Sequence, residues 1–400
     1  MVFNKLCRWL AGGGIMRVLI IGGMGVIGGS ITKAASKLNM EVYVVSRRAL
    51  FGEWLDLGIR GIQGDWKDDA FAKKTVERCY DVIVDTQVFN VNQLRRSMRI
   101  VEGHCNQYIY ISTDSVYEHP SENVVEDDSI DMNKIHWEYG IDKRKAELFL
   151  LENGEQYSFF WTGVRPTITF GETRIPVGYA SKRNTYTLPE RILNGKPIIR
   201  FDDPSTRHSV CHSSIFGSAV VGLFLNEQAK SQFYHISDDC AYTYNEIFEV
   251  IERILGKRGI YVYVPTRLVK KYSRSVYEEM IYDKNPEFTL DNSKIKVASP
   301  TANYHVELEP VIENILEYLR DNSQGSDHEY DLVTDSVLLD YVNCIGDKSL
   351  KKKVEKYISE MPTEYCAELS SFKRRRIVDN LLYPLKAIKR GIKRKLIERN

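Results

Sequence analysis

Short apolar runs alternate with longer amphipathic stretches over the first 170 residues of the chain. The run at 17–21 is apolar at every position after its arginine, which is typical of a parallel strand buried on both faces. Similar runs at 41–45, 81–85 and 108–111 predict the second, fourth and fifth strands, and 30–38 predicts the first helix. The alternation of strand and helix indicates an α/β fold with a doubly wound parallel sheet.

The pattern becomes irregular beyond residue 171, where prolines interrupt it. Helical periodicity returns at 244–255 and 309–319, and the polar segment 322–329 has the composition of a linker. The predicted organisation is an N-terminal extension at 1–15, a dinucleotide-binding domain at 16–170, a small C-terminal lobe at 171–325 and a helical, basic tail at 326–400.

Three glycines mark the turn between the first strand and the first helix. Gly22, Gly25 and Gly28 give the spacing G-x-x-G-x-x-G. Glycine lets the backbone approach a pyrophosphate closely, and the N-terminus of the following helix supplies amide donors; Val26 and Ile27 in this turn are also expected to bind the cofactor. The turn therefore predicts a Rossmann-type cofactor site, and the alternative is a glycine-rich turn with no ligand.

The residues after the second strand bear on the choice of cofactor. Ser46 occupies the position at which an acidic side chain would accept hydrogen bonds from the adenosine ribose, and Arg47 and Arg48 follow it. Without a carboxylate there is no repulsion against a 2′-phosphate, and arginine can pair with that group. The sequence therefore favours NADP over NAD. In the alternative, the arginines stack on adenine or face the solvent.

A second motif supplies chemistry about a hundred residues downstream. Tyr139 and Lys143 are four residues apart in a predicted helix and therefore share one face. A cationic ammonium near a phenol favours the phenolate and lowers its pKa. Thr113 follows the fifth strand and offers a hydroxyl to the same substrate oxygen. We expect Tyr139 to be the general base, assisted by Lys143 and Thr113.

The glycine turn, the strand that ends in Ser-Thr-Asp-Ser, and the Tyr-x-x-x-Lys helix occur in a fixed order. Together they resemble the extended short-chain dehydrogenase/reductase superfamily, in its NAD-dependent epimerase/dehydratase branch, from about residue 16 to residue 319. The resemblance implies a substrate-binding C-terminal lobe that is interleaved with the last sheet strands. It also implies that Asp65, next to Trp66, meets the adenine amine, and that Pro166 lies beside the nicotinamide.

The same resemblance implies hydride transfer at a secondary carbinol of a nucleotide-activated sugar. An epimerase would return the hydride to the opposite face, whereas a ketoreductase would stop after one transfer. The family's 4,6-dehydratases carry glutamate where this chain has Ser115, so that reaction is disfavoured. Lys143 is further expected to hold the cofactor ribose. Neither the sugar nor its nucleotide follows from these residues.

Composition restricts the remaining possibilities. The formal net charge of 400 residues is +1, so no overall field selects nucleic acid. The seven cysteines form no C-x-x-C pair, which predicts reduced thiols in a cytoplasmic protein. Separately, we expect the protein to be a homodimer. His208 and His212 are four residues apart, but no acidic or thiol residue completes a zinc set, so no metal site is expected.

The last thirty residues are rich in lysine and arginine. Four aliphatic side chains recur there at helical spacing: Leu385, Ile388, Ile392 and Leu396. Such a basic amphipathic helix can dock on its own domain or lie on an anionic membrane surface, and binding to nucleic acid is the least favoured alternative. A further hypothesis for the whole chain is a non-catalytic protein that uses the fold to bind RNA or a protein partner.

Overall fold

A computed structural model describes residues 14–322, 325–345, 347–376 and 378. The chain divides into two compact units. Among the described residues, the first unit comprises 14–176, 206–243 and 287–315, and the second unit comprises 177–205, 244–286 and the described residues from 316 to 378. None of the helices within the described ranges is both long enough and apolar enough to cross a membrane.

Fourteen strands lie in the described part of the chain. They are β1 (Met16–Ile21), β2 (Met40–Ser46), β3 (Arg60–Gln63), β4 (Val82–Asp85), β5 (Gln107–Ile111), β6 (Ser121–Val124), β7 (Phe160–Pro166), β8 (Ile168–Phe170), β9 (Pro197–Phe201), β10 (Arg207–His212), β11 (Gln232–Ile236), β12 (Ala241–Thr243), β13 (Ile260–Val264) and β14 (Phe288–Leu290).

Helices connect these strands and extend beyond them. They are α1 (Val26–Ser36), α2 (Glu53–Asp56), α3 (Asp69–Val76), α4 (Val91–Val101), α5 (Glu138–Asn153), α6 (Thr187–Leu193), α7 (Ser213–Val221), α8 (Tyr244–Leu255), α9 (Arg274–Glu279), α10 (Ser293–Ala298), α11 (Leu308–Asn322), α12 (His328–Cys344) and α13 (Lys348–Ser359). Residues 363–376 are also helical, and a short 3₁₀ turn covers Asp114–Val116.

The first unit is built on a seven-stranded sheet with the order β11-β7-β5-β4-β1-β2-β3. All neighbouring strands in it are parallel. This confirms the predicted doubly wound α/β fold. In the same unit, β10 pairs with β12, β14 and β8, and β14 also pairs with β6.

Strand β1 shows why its apolar run is continuous. Successive side chains point to opposite faces of a sheet, and both faces here are covered. Val18 and Ile20 pack into the core cluster on one face, whereas Leu19 and Ile21 pack into the cluster on the other. Each of these four side chains has no exposed surface.

The first helix begins earlier than the sequence pattern predicts. The prediction was 30–38, but α1 begins at Val26, directly after its N-cap residue Gly25. The glycine turn is therefore shorter than its composition indicates, because Gly28 and Gly29 lie inside the helix and are buried there. The amides of the first helical turn consequently lie close to the end of β1.

The second unit incorporates most of the predicted tail. Strands β9 and β13 pair in parallel, and their apolar residues share a core cluster with residues of α12. Val337, Leu338 and Val342 have no exposed surface. The predicted helical C-terminal region is confirmed, and α12 forms part of the core of the second unit. The aliphatic stripe at 385–396 and its proposed membrane contact lie outside the described residues.

A buried ion network fixes α12 within the second unit. The Arg191 guanidinium on α6 donates to Asp331 at 2.5 Å and to Asp335 at 2.7 Å. The second carboxylate oxygen of Asp335 accepts hydrogen bonds from the hydroxyls of Tyr357 and Tyr365, at 3.0 and 2.6 Å. Arg191 is 1% exposed, so its removal would leave two buried carboxylates without their main counter-charge.

We predict that Arg191→Met loosens α12. Breaking one side of a buried ion network costs about 3–5 kcal/mol, which corresponds to amide exchange about 10²–10³-fold faster if local opening limits exchange. Hydrogen exchange followed by mass spectrometry on peptides from 328–344 measures this directly. The matched control is Arg183→Met, which removes an exposed ion pair with Glu329 at 3.4 Å. Equal exchange in the two variants would contradict the assigned role.

Candidate active site

A cavity of about 240 Å³ lies at the carboxyl edge of the main sheet. Its walls come from the ends of β1 and β2 and from the segments that follow β3 and β4, because parallel strands all end at the same edge. The lining residues are Ile21, Gly22, Met24, Gly25, Val45, Ser46, Arg47, Gly64, Asp65, Trp66, Lys67 and Gln87.

The glycine turn shapes one wall of this cavity. Gly22 has a φ of +79°, and a Cβ at this position would overlap the side chains of Thr86 and Gln87. A Cβ at Gly28 would overlap the carbonyl oxygen of Gly22, so the turn closes tightly against the helix. At Gly25, by contrast, a Cβ would meet no atom within 4 Å. The turn therefore keeps an open cradle in front of the α1 N-terminus, which carries Val26 and Ile27, and this fits an anionic group.

The residues after β2 occupy different positions. Ser46 and Arg47 line the cavity, whereas Arg48 is exposed and does not appear among the lining residues. The Ser46 hydroxyl accepts a hydrogen bond from the Arg48 amide at 3.1 Å, and the Arg47 carbonyl accepts one from Gln63 at 3.3 Å. Both arginines are exposed, and Arg47 is the one that borders the cavity.

Asp65 and Trp66 form the opposite wall, and Asp85 holds that wall in place. Asp65 is exposed, whereas the Trp66 indole is buried and donates to Ser97 at 3.1 Å. Ser97 in turn donates to Asp85 at 2.7 Å, and the Gln87 amide donates to the same carboxylate at 2.8 Å. Burial raises the pKa of Asp85, and these donors oppose that shift. Asp85 is thus hydrogen-bonded to the lining residue Gln87 directly and to the lining residue Trp66 through Ser97.

Lys143 lies at the ends of the two adjacent strands β4 and β5. Its ammonium donates to the carbonyl oxygens of Val88 and Ile111, at 2.6 and 2.7 Å. The ammonium nitrogen is 5.9 Å from the centre of the Tyr139 ring. Burial lowers the pKa of Lys143 to about 7, although the charges of Asp85 and Glu147 act in the opposite direction. The buried site therefore favours the neutral amine more than water does.

Gly140, which we did not single out from the sequence, lets the helix that carries Tyr139 approach the turn that carries Thr113. Helix α5 begins one residue before Tyr139, and a Cβ at Gly140 would overlap the carbonyl oxygen of Ser115. The absence of a side chain lets the helix start directly against the turn that carries Thr113. The Thr113 hydroxyl caps this turn, because it accepts a hydrogen bond from the Ser115 amide at 3.2 Å.

A second buried network supports the other side of α5. Glu147 accepts two hydrogen bonds from Arg165, at 2.8 and 3.1 Å, and one from Ser112 at 2.7 Å. Burial alone would raise the pKa of the Glu147 carboxyl, but the Arg165 guanidinium holds it below its usual value. Pro166 ends β7 next to Arg165 and pairs in register with Ile236.

The two histidines that we considered for a metal site serve local hydrogen bonds. His208 is buried and its ring bonds to the Thr206 hydroxyl at 2.9 Å. His212 is the N-cap of α7 and accepts from the Ser214 amide at 3.3 Å.

Sequence reasoning missed Met24, Lys67 and Gln87 in the cavity wall. Lys67 follows Asp65 and Trp66 directly, and Gln87 comes two residues after β4. Their positions after strand ends were the only available signal.

Comparisons with known proteins identify a family and similar folds. Residues 18–237 match the model of the NAD dependent epimerase/dehydratase family. A search of curated proteins found no match. The structure resembles UDP-glucuronic acid 4-epimerase from Bacillus cereus, solved with UDP-glucuronic acid and NAD. The identity is 17%, the TM-score is 0.62, and the match covers 76% of this chain and 99% of the epimerase.

Two further solved structures are similar. One is the epimerase Mth375 from Methanothermobacter thermautotrophicus, with 15% identity, a TM-score of 0.62, and coverage of 83% of this chain and 97% of the other. The other is MoeE5, solved with UDP-glucose and NAD, with 17% identity, a TM-score of 0.59, and coverage of 76% and 99%. At these identities the likeness establishes the fold.

The depressed pKa of Lys143 predicts how stability depends on pH. The unfolded chain binds this proton up to about pH 10.5, whereas the folded chain releases it near pH 7. The free energy of unfolding should therefore rise with pH between these values, by about 2 kcal/mol from pH 7 to pH 9. Urea unfolding followed by tryptophan fluorescence should show this rise in the parent and not in Lys143→Met. Lys145→Met changes an exposed lysine of the same helix and should behave like the parent. Parallel pH profiles for the parent and Lys143→Met would contradict the burial of this charge.

Proposed function

The chain belongs to the NAD dependent epimerase/dehydratase family, within the extended short-chain dehydrogenases/reductases. From this membership we propose that it is an NAD(P)-dependent epimerase or ketoreductase that acts on a nucleotide-activated sugar. The observation that carries the proposal is the position of Lys143. Its buried ammonium lies at the ends of β4 and β5, one helical turn from Tyr139 and 5.9 Å from the centre of its ring.

The cavity residues suit a dinucleotide. The open cradle at Gly25 and the amides at the start of α1 would hold the pyrophosphate, and Ser46 and Arg47 would face the adenosine ribose. Asp65 and Trp66 would lie beside the adenine. When bound, the nicotinamide supplies a hydride acceptor and donor at the substrate carbon.

Tyr139 takes the proton from a secondary hydroxyl of the sugar. The protonated form of Lys143 stabilises the phenolate, because an ammonium next to a phenol favours the anion. The carbonyl oxygens of Val88 and Ile111 accept two of the three ammonium hydrogens. The third hydrogen can be donated to a ribose hydroxyl or to Tyr139. Thr113 donates to the oxygen on which negative charge develops, once its hydroxyl turns away from Asp114 and Ser115.

The class of reaction is limited by the residue at position 115. Loss of water next to a ketone needs a base beside the substrate, and Ser115 has no carboxylate. We therefore place the chain among the epimerases and ketoreductases. UDP-hexoses are the first substrates to test, because the similar proteins from Bacillus cereus and MoeE5 were solved with UDP-glucuronic acid and UDP-glucose.

The direct assay incubates the purified protein with UDP-glucose, UDP-glucuronic acid and their 4-epimers, in the presence of NAD, NADH, NADP or NADPH. An epimerase converts the sugar without net change in nicotinamide absorbance, and a ketoreductase consumes one reduced nicotinamide per product. Product analysis by NMR distinguishes the two. If these sugars are inert, mass spectrometry of small molecules that co-purify with the protein identifies the substrate class. Retention of neither a nucleotide sugar nor a dinucleotide would contradict the proposal.

We predict that Tyr139→Phe lowers turnover by about 10²–10⁴-fold, since proton transfer by a positioned side chain contributes that much. The ring still packs against Trp137, whose ring centre is 4.9 Å away, so nicotinamide affinity should stay within about twofold of the parent. Steady-state assay and cofactor titration measure the two effects separately. The control is Tyr157→Phe, another half-buried tyrosine of the first unit. Turnover of Tyr139→Phe within threefold of the parent would refute its role as the base.

We predict a preference for NADPH over NADH that depends on Arg47. A guanidinium that pairs with the 2′-phosphate contributes about 1.5 kcal/mol or more, so Arg47→Ala should weaken NADPH binding about tenfold and leave NADH binding nearly unchanged. Arg48→Ala is the matched control, because Arg48 is exposed and away from the cavity wall. Fluorescence titration gives both affinities. Equal affinities that neither substitution changes would show that the arginines do not read the 2′-phosphate.

A further inference from the structure

An aspartate, a cysteine and a histidine converge in the first unit, outside the cavity described above. Asp238 and Cys240 follow β11 by two and four residues, and His305 lies three residues before α11. One carboxylate oxygen, the thiol sulfur and one ring nitrogen all lie within 4.8 Å of one another. Within the described ranges, no other set of three potential metal-ligating side chains is this close.

The carboxylate of this cluster is already fixed in place. Asp238 has a side chain that is 1% exposed, and it accepts the backbone amides of Cys240 at 2.9 Å and Val306 at 3.1 Å. The same carboxylate is 2.9 Å from His305 Nδ1. Backbone donors that orient a carboxylate are the outer-sphere support that metal sites use. The two segments are thus held together before any ion binds.

The other two side chains are open to solvent. Cys240 is exposed, and the side chain of His305 is 38% exposed. An ion can therefore enter from the surface, and both side chains can rotate. Ligands around tetrahedral zinc lie about 3.5 Å apart at bond lengths of about 2.0–2.3 Å. Separations of up to 4.8 Å would have to shorten by about 1 Å, and the 2.9 Å contact between Asp238 and His305 would have to lengthen by less than that.

We propose that Asp238, Cys240 and His305 form a binding site for Zn²⁺. Carboxylate oxygen, thiolate sulfur and imidazole nitrogen are the three ligand types that zinc takes in proteins. Water completes the fourth position. Binding releases the Cys240 thiol proton to solvent and involves no change of oxidation state. The metal would join the end of β11 to the segment that leads into α11.

A second cysteine–histidine contact in the same unit offers a matched control. The sulfur of Cys79 is 3.7 Å from Nδ1 of His104. This pair belongs to no set of three ligating groups within the described ranges. If a cysteine and a histidine alone sufficed, both places would bind metal; if a fixed carboxylate is needed, only the cluster with Asp238 would.

The test uses the full chain after treatment with a chelator, with Co²⁺ as a spectroscopic probe for zinc. Titration should give a thiolate-to-cobalt charge-transfer absorption that saturates at one Co²⁺ per chain and disappears when Zn²⁺ is added. Cys240→Ser should abolish the band, and His305→Gln should weaken Co²⁺ binding at least tenfold. Cys79→Ser should leave the titration unchanged. Thermal unfolding midpoints of the metal-free variants, compared with that of the parent, show that each variant is folded.

Three results would overturn the proposal. The band could be absent from the parent, it could persist in Cys240→Ser, or it could be lost in Cys79→Ser instead. The last two results would show that another cysteine supplies the thiolate ligand. The other candidates include Cys7, which lies outside the described residues. The measurement needs neither a sugar nor a nicotinamide, so its outcome is independent of the proposed enzymatic function.

Discussion

The close passage of Gly28 beneath the carbonyl oxygen of Gly22 is the constraint on which the rest of the site depends. A side chain at position 28 would overlap that oxygen, so only glycine lets α1 begin directly under the end of β1. The amide groups at the start of α1 then face the edge at which all the parallel strands end. Arg47 and Gln87 come from β2 and β4 to the same edge, although forty residues of chain separate them.

Lys143 lies at the same edge of the sheet, at the ends of strands β4 and β5. A buried ammonium is costly, and here two carbonyl oxygens at the ends of β4 and β5, together with the charges of Asp85 and Glu147, offset only part of that cost. The resulting pKa of about 7 means that a new negative group nearby, such as a phenolate, would shift the lysine towards its charged form. If Tyr139 is the base, as we propose, its phenolate would be coupled to Lys143 through charge as well as through their place on one helix.

The fold could be predicted, and site residues proposed, from signals that are local in the sequence. Continuous apolar runs mark strands covered on both faces, and Tyr139 and Lys143 are separated by one helical turn. The end of the chain was harder to interpret. Helix α12 buries Asp331 and Asp335, so its inward face looks polar in sequence, and only Arg191, 140 residues away from the first of them, explains their burial. The role of Gly140 depends on the carbonyl oxygen of Ser115, a neighbour in three dimensions that no spacing rule indicates.

The central claim is that a dinucleotide lies in the cradle of the glycine turn, and Gly25→Ala tests it most directly. Gly25 has φ −82° and ψ 174°, which alanine adopts freely, and its Cβ would meet no protein atom within 4 Å. The fold should therefore lose less than about 1 kcal/mol, whereas a methyl group in the cradle should weaken binding of both NADH and NADPH by more than tenfold. Gly28→Ala, which overlaps protein atoms, should instead destabilise the fold itself. Unchanged affinity of a stable Gly25→Ala protein for both dinucleotides would contradict the account.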